Sequence, residues 1–287
     1  MRIAFIGFGE AARAFHASLA ATDPALRFAC HDILFATEGM DGPTAAAARD
    51  AGVTPAPTAG AAVAGVDWII SAVTAASSLE AAQAVAPHLG QGQTFLDINS
   101  VSPGRKQATA ALMPAGVGYV DMAVMAPVHP HGHRSPVLLA GPLTPVLVAR
   151  LDALGFRHDT VGPEIGAAAA IKLARSVFVK GLEAITVEAL CAAEAAGCLE
   201  AAARSIAGSY PGLGWPGFAA YQFERSLTHG TRRAAEMREG GAMLDELGLD
   251  GGLARAVAAV HERMGASTDR ARMMALIERI AAATGQP

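Results

Sequence analysis

Aromatic residues make up only 5% of this 287-residue chain although 52% of it is hydrophobic. Its cores must therefore be built mainly from alanine and small aliphatic side chains, which suits closely packed helices. Cysteine is nearly absent. Cys30, Cys191 and Cys198 are odd in number and show no C-x-x-C spacing, which argues against a disulfide framework or a zinc cluster, and they read as buried thiols. The net charge of −4 comes without any basic run, so the footprint of a nucleic-acid or membrane-surface protein is missing and a small-molecule partner is expected. Long apolar runs are lacking too: the longest uncharged stretch, Ser205 to Phe223, is broken by Pro211, Pro216 and several glycines. No charged, apolar leader precedes the first strand, so the expectation is a soluble cytoplasmic protein.

What is present begins at the first residues. The apolar run Arg2-Ile3-Ala4-Phe5-Ile6 leads into Gly7-Phe8-Gly9-Glu10-Ala11-Ala12, and Asp32 follows twenty residues beyond Ala12, at the end of a second apolar run. A dinucleotide-binding turn needs a glycine for the bend, a second where the backbone meets the pyrophosphate, and a small third residue where helix packs on strand. Gly7, Gly9 and Ala12 supply these. The next helix offers free N–H groups and its dipole to the phosphates. A carboxylate at Asp32 would accept from the ribose 2′-OH of NAD and repel the 2′-phosphate of NADP, so NAD is the expected cofactor and NADP the lesser alternative.

Up to about Val161, strand-like runs alternate with alanine-rich helical ones: Ile3–Ile6, Leu26–Cys30, Trp68–Val73, Thr94–Ile98, Tyr119–Val124 and Val137–Ala140. Such alternation predicts an α/β Rossmann domain with a doubly wound, mostly parallel sheet. After Gly162-Pro163 the pattern changes. Ile165 to Ala196 contains no proline and predicts one long helix, and the remainder reads as helices broken at Gly197, Tyr210–Gly217, Gly240-Gly241, Gly248 and Gly251-Gly252. The expected division is a dinucleotide-binding domain over 1–163 and an all-helical substrate and dimerisation domain over 164–287, with a substrate cleft between them.

Several side chains could carry chemistry. Asp97-Ile98-Asn99-Ser100-Val101-Ser102-Pro103 closes the fourth apolar run of that series, and ligands bind at strand C-terminal ends in such sheets. Ser102 and Pro103 also fit an N-cap and first helical position. Asp121-Met122-Ala123-Val124-Met125-Ala126-Pro127 is a second strand running into a loop whose N–H groups could receive a carboxylate. Lys172 stands alone after four alanines early in the long helix, and desolvation among apolar neighbours lowers a lysine pKa towards general acid–base use. Ser176 and Lys180 follow it at one-turn intervals, a slanting polar stripe suited to an anion. His129-Pro130-His131-Gly132-His133 lacks a nearby acidic or thiol partner, so it is expected to be a flexible cleft loop and not a metal site. His229, Arg232, Arg233 and Glu236 cluster on one predicted helix, either closing over an acidic substrate or forming an ion-pair network.

With these motifs the chain resembles the β-hydroxyacid dehydrogenase superfamily, which includes 6-phosphogluconate and 3-hydroxyisobutyrate dehydrogenases. Its cofactor motif is matched at Gly7–Ala12 and its substrate motif, D-x-[SN]-[ST]-x-x-P, at Asp97–Pro103. Its interdomain-helix lysine is matched by Lys172. The stretch Arg175–Ala184 is similar to a branch carrying a helical domain of unknown function. Two departures stand out: the asparagine usual four residues after the lysine is Ser176, and the glycine pair expected after Asp121 is replaced by Val124-Met125-Ala126-Pro127.

The resemblance implies a catalytic set of Lys172, Asn99, Ser100 and Ser176. It implies cofactor contacts from Gly7, Phe8, Gly9, Glu10, Ala11, Ala12, Asp32, Val73, Thr74 and Asn99. Substrate contacts are expected from Ser100, Val101, Ala123, Val124, Met125, Lys172, Ser176, Lys180 and Arg233. The expected activity is hydride transfer between nicotinamide and a small anionic hydroxyacid, a β-hydroxyacid or sugar acid, with Lys172 as general acid/base and decarboxylation as a further step. Imine reduction and non-catalytic dinucleotide sensing are the alternatives. A homodimer is expected, with neither nucleic acid nor membrane as partner.

Overall fold

The computed structural model of the chain describes residues 1–285; residues 286–287, the end of the expected helical domain, lie outside the described residues. It divides into two units, Met1–Lys172 and Leu173 onward.

Among the described residues of the first unit, eight strands form one sheet: β1 (Arg2–Ile6), β2 (Arg27–His31), β3 (Thr54–Pro55), β4 (Trp68–Ser71), β5 (Thr94–Asp97), β6 (Gly118–Val124), β7 (Val137–Ala140) and β8 (His158–Gly162). The order is β3-β2-β1-β4-β5-β6-β7-β8, parallel throughout except where β6 meets β7. Helices α1 (Glu10–Thr22), α2 (Phe35–Glu38), α3 (Pro43–Asp50), α4 (Ala59–Val63), α5 (Ser78–Val85), α6 (Pro103–Ala110) and α7 (Pro145–Ala153) cross over between strands. Winding reverses between β1 and β4, which opens a crevice at the strand C-terminal ends.

β1 shows why both faces are covered. Ile3 and Phe5 belong to one apolar cluster with Phe15, Phe28, Trp68 and Leu151, while Ala4 and Ile6 belong to another with Val63, Ile69 and Phe95. Alternate side chains of a strand point to opposite faces, so a central parallel strand reads as an unbroken apolar run. Two strands escaped the sequence pattern for the opposite reason. β3 has only two residues, and β8 is a half-exposed edge strand of His158-Asp159-Thr160-Val161-Gly162 without an apolar face.

Helix α8 (Ala167–Ala195) is the predicted long helix, two residues shorter at its start than expected. The second unit adds α9 (Leu199–Ser209), α10 (Gly217–Glu246), α11 (Gly252–Gly265) and α12 (Arg270–Thr284). The break expected at Gly240-Gly241 does not occur, because α10 runs straight through both. These glycines serve close packing: a Cβ on Gly240 would come 3.0 Å from Val177 Cγ2, and one on Gly241 3.4 Å from the Gly251 carbonyl. The cysteines divide in their exposure. Cys30 is buried and Cys191 half-buried, but Cys198, at the turn preceding α9, is exposed and corrects the expectation of three buried thiols.

Candidate active site

The phosphate-binding turn lies between β1 and α1. Gly7 has φ +81°, and a Cβ there would stand 2.6 Å from the Ala72 carbonyl and 2.8 Å from Val73 Cγ1, so only glycine fits. Space around Gly9 is open, with nothing within 4 Å of a Cβ built on it, and no side chain caps the α1 N-terminus. A glycine cradle under an uncapped helix start suits a pyrophosphate. Ala12 is fully buried in the main core and lets α1 sit close on the sheet, while Phe8 is buried beside it and Glu10 is exposed.

Asp32 ties this turn down. Its Oδ2 accepts from the Phe8 N–H at 2.7 Å and its Oδ1 from the Leu34 N–H at 3.0 Å. Asn99, nearly buried, bridges two strand ends: its Oδ1 accepts from the Val73 N–H at 2.8 Å and its Nδ2 donates to Ser71 Oγ at 2.8 Å. That bond fixes Val73, while Thr74 is exposed beyond it.

Ser100 stands at the opening of the crevice. Lys172, in the second turn of α8, donates from Nζ to Ser100 Oγ at 2.5 Å. Ser102 caps α6, its hydroxyl accepting from the Arg105 N–H, with Pro103 at the first helical position. Val101 is wholly buried, and Ala123 and Val124 are buried strand residues paired to β7. Met125 lies just past the end of β6, as the loop reading has it, but its N–H is spent on the Pro136 carbonyl at 2.8 Å and is not offered to a carboxylate.

Beneath Ser100 lies a cluster that sequence reasoning missed. Asp97 and Asp121 are neighbours in register on β5 and β6, and the wholly buried Lys106 of α6 forms ion pairs with them at 3.1 and 3.4 Å. Asp121 Oδ2 accepts from the N–H groups of Gly166 and Ala169, both at 3.1 Å, and so caps the start of α8. A carboxylate at a helix N-terminus contributes about 0.3–1 kcal/mol, more when partly buried. No local signal marks this cluster: Asp97 ends β5 but Asp121 lies in the middle of β6, and only the register of the two strands brings both carboxylates to Lys106, one turn after Ser102 on the buried face of α6.

The histidine tract is not a flexible loop. His133 is fully buried, its Nδ1 2.6 Å from Ser18 Oγ and its Nε2 2.8 Å from the Leu154 carbonyl, with the ring packed edge-on to Phe156. Burial lowers its pKa. His129 and His131 are exposed, and no metal-binding cluster occurs among the described residues.

In the second unit the polar stripe turns inward. Lys180 donates to Ser176 Oγ at 2.9 Å and pairs with Glu236 at 2.5 Å, while Arg233 pairs with the buried Glu183 at 2.7 Å. Burial pushes the Lys180 pKa down and that of Glu183 up. His261, fully buried, holds the Lys180 carbonyl at 3.0 Å. Arg233 is buried, whereas Arg232 beside it is exposed, so these two do not act together.

Comparison with known proteins agrees with this architecture. Residues 2–100 match the family described as NADP oxidoreductase, coenzyme F420-dependent, and residues 193–264 match a domain of unknown function. No curated protein matches the chain. A conserved hypothetical protein from Sinorhizobium meliloti 1021 is 33% identical over 98% of this chain and 96% of its own, with a TM-score of 0.78. The conserved protein MTH1747, of unknown function and described as structurally similar to 3-hydroxyacid dehydrogenases, is 28% identical over 92% and 96%, with a TM-score of 0.71. Mycobacterium tuberculosis 3-hydroxyisobutyrate dehydrogenase, solved with L-serine, shares the fold at 19% identity over 96% and 98%, with a TM-score of 0.70. No helix among the described residues is long and apolar enough to cross a membrane. On its glycine turn, its strand-end site and these relatives, the chain belongs to the β-hydroxyacid dehydrogenase superfamily, in a branch with a C-terminal domain of unknown function, and is an NAD(P)-dependent oxidoreductase.

Proposed function

We propose that the protein oxidises a small anionic hydroxyacid reversibly, a β-hydroxyacid or sugar acid, with NAD preferred over NADP. The observation that carries this reading is the Lys172–Ser100 hydrogen bond of 2.5 Å at the C-terminal end of the sheet. Gly7, Gly9 and the open start of α1 would hold the pyrophosphate, and Asp32 the adenosine ribose. The bound nicotinamide supplies hydride acceptance and donation. Lys172 takes the substrate hydroxyl proton during oxidation and returns it during reduction. Ser100 orients that hydroxyl, and Asn99 keeps Val73 and the loop after β4 in place through its bond to the Val73 N–H. If the product is a β-ketoacid, protonated Lys172 can polarise its carbonyl as carbon dioxide leaves.

Residues 1–163 are assigned to cofactor binding and 164–287 to substrate and assembly. Ser176, Lys180 and Arg233 have partners within their own unit, and the proposal gives them that structural work in place of substrate contact. A cytoplasmic location fits three free thiols. A homodimer is part of the proposal, and sedimentation in solution tests it. The deciding experiment is NADH and NADPH formation across β-hydroxyacids, sugar acids and hydroxyamino acids, for wild type and Lys172→Met. Lysine-dependent turnover on one class supports the reading. Tight cofactor binding without turnover on any of them would overturn it in favour of imine reduction or sensing.

A further inference from the structure

Lysine occurs only three times in the chain, at Lys106, Lys172 and Lys180, against nineteen arginines. Lys172 carries the proposed chemistry and Lys180 pairs with Glu236. Lys106 has no part in the reaction, yet it is wholly buried, a place a lysine occupies only when paired. Its ammonium meets the Asp97 carbonyl at 2.7 Å, Asp97 Oδ1 at 3.1 Å and Asp121 Oδ1 at 3.4 Å. The Asp97 carbonyl takes a hydrogen bond from the ammonium and the two carboxylates hold it as ion pairs, a compact arrangement that the larger planar guanidinium of arginine would not match.

The two carboxylates lead onward to the two halves of the Lys172–Ser100 pair. Asp97 Oδ1 accepts from the Asn99 N–H at 2.9 Å, one residue before Ser100, while its Oδ2 is held by the Tyr119 hydroxyl at 2.8 Å. Asp121 Oδ2 holds Gly166 and Ala169, and Ala169 lies one turn of α8 before Lys172. We infer that Lys106 is a positioning residue: by clamping Asp97 to Asp121 it sets the Ser100 loop and the first turn of α8 at the separation that brings Ser100 and Lys172 together. A lysine that only neutralised two buried carboxylates would also stabilise the fold, but its loss would leave Lys172 as it was. The consequence for catalysis rests on the proposed role of Lys172; the positioning itself does not.

With so few lysines, each can be followed separately by trace acetylation of the full-length protein with acetic anhydride and mass analysis of its peptides. Well below its unfolding temperature, Lys106→Met is expected to label Lys172 about fivefold faster, the equivalent of one lost hydrogen bond. The Asn99, Gly166 and Ala169 amides should exchange hydrogen about tenfold faster. Lys180 labelling and the Phe8 and Leu34 amides should not change. A variant that melts earlier but keeps wild-type rates at Lys172 and those three amides would overturn the inference. If Lys106→Met does not fold, Asp97→Asn with Lys106→Met keeps the net charge of the cluster and is read by the same outcomes. On an identified substrate kcat should fall about 10- to 100-fold with cofactor affinity retained, since small misplacements of a reacting group cost that much. Unchanged kcat alongside Lys172-dependent turnover would also overturn the inference. Full activity of Lys172→Met would sink the proposed reaction and leave the labelling result standing.

Discussion

Lys172 Nζ donates a 2.5 Å hydrogen bond to Ser100 Oγ, joining the second turn of α8 to the loop after β5. The two residues should differ in what they do. Removing a general acid/base costs about 10²- to 10⁴-fold in kcat, whereas losing one orienting hydroxyl costs about tenfold. Lys172→Met should therefore abolish measurable oxidation and Ser100→Ala only slow it, both with NADH affinity near wild type by fluorescence titration. Equal losses from the two variants would argue against the division of labour.

Asp32 spends both oxygens on backbone, at Phe8 and Leu34, while standing at the end of β2 where a cofactor ribose would lie. Asp32→Ala orphans two N–H groups and removes a charge; Asp32→Asn removes the charge and keeps an acceptor. Both should shift the NAD to NADP affinity ratio towards NADP by about tenfold, or 1.4 kcal/mol. Only the alanine variant should also weaken both cofactors. A ratio that does not move would remove Asp32 from specificity.

The sheet was legible in the sequence because central parallel strands such as β1 and β4 are continuous apolar runs, and the glycine turn has a fixed spacing from Asp32. The edge strand β8 was not, since it has no apolar face to announce it. Lys172 could be picked out as a lone cation among alanines. Lys106 could not, because a lysine beside Arg105 on a polar helix reads as solvated until the register of Asp97 against Asp121 is known. His133 misled for a related reason: Pro130 and Gly132 suggest mobility, but Ser18 and Leu154, more than a hundred residues upstream and 21 residues downstream, fix its ring. Partners brought together only by the fold leave no local trace.

Burial lowers the pKa of His133 and of His16 in the same unit. Their neutral forms belong to the fold, so stability is fully present above the ordinary histidine value near 6.5 and is lost as pH falls below it towards the folded values. Each contributes a slope of up to about 1.4 kcal/mol per pH unit in that window. Urea unfolding followed by Trp68, in a Trp215→Phe background, should show stability falling from pH 6.5 to 5. His133→Gln should be less stable at pH 7 but flatter with pH. An equally steep profile in that variant would assign the slope elsewhere.

Glu183 is 1% exposed, and the Arg233 guanidinium at 2.7 Å is its closest cation. Breaking a buried pair from one side leaves an uncompensated charge and costs about 3–5 kcal/mol, whereas removing both charges costs much less. Arg233→Met should therefore destabilise the helical unit by about that amount, and Glu183→Gln with Arg233→Met should recover most of the loss. Trp215, on the helical side, reports this unit when Trp68 is replaced by Phe. The double variant also separates structure from substrate binding. If Arg233 held a substrate anion, restoring stability would not restore KM; a KM that returns with stability leaves Arg233 as a partner of Glu183 alone.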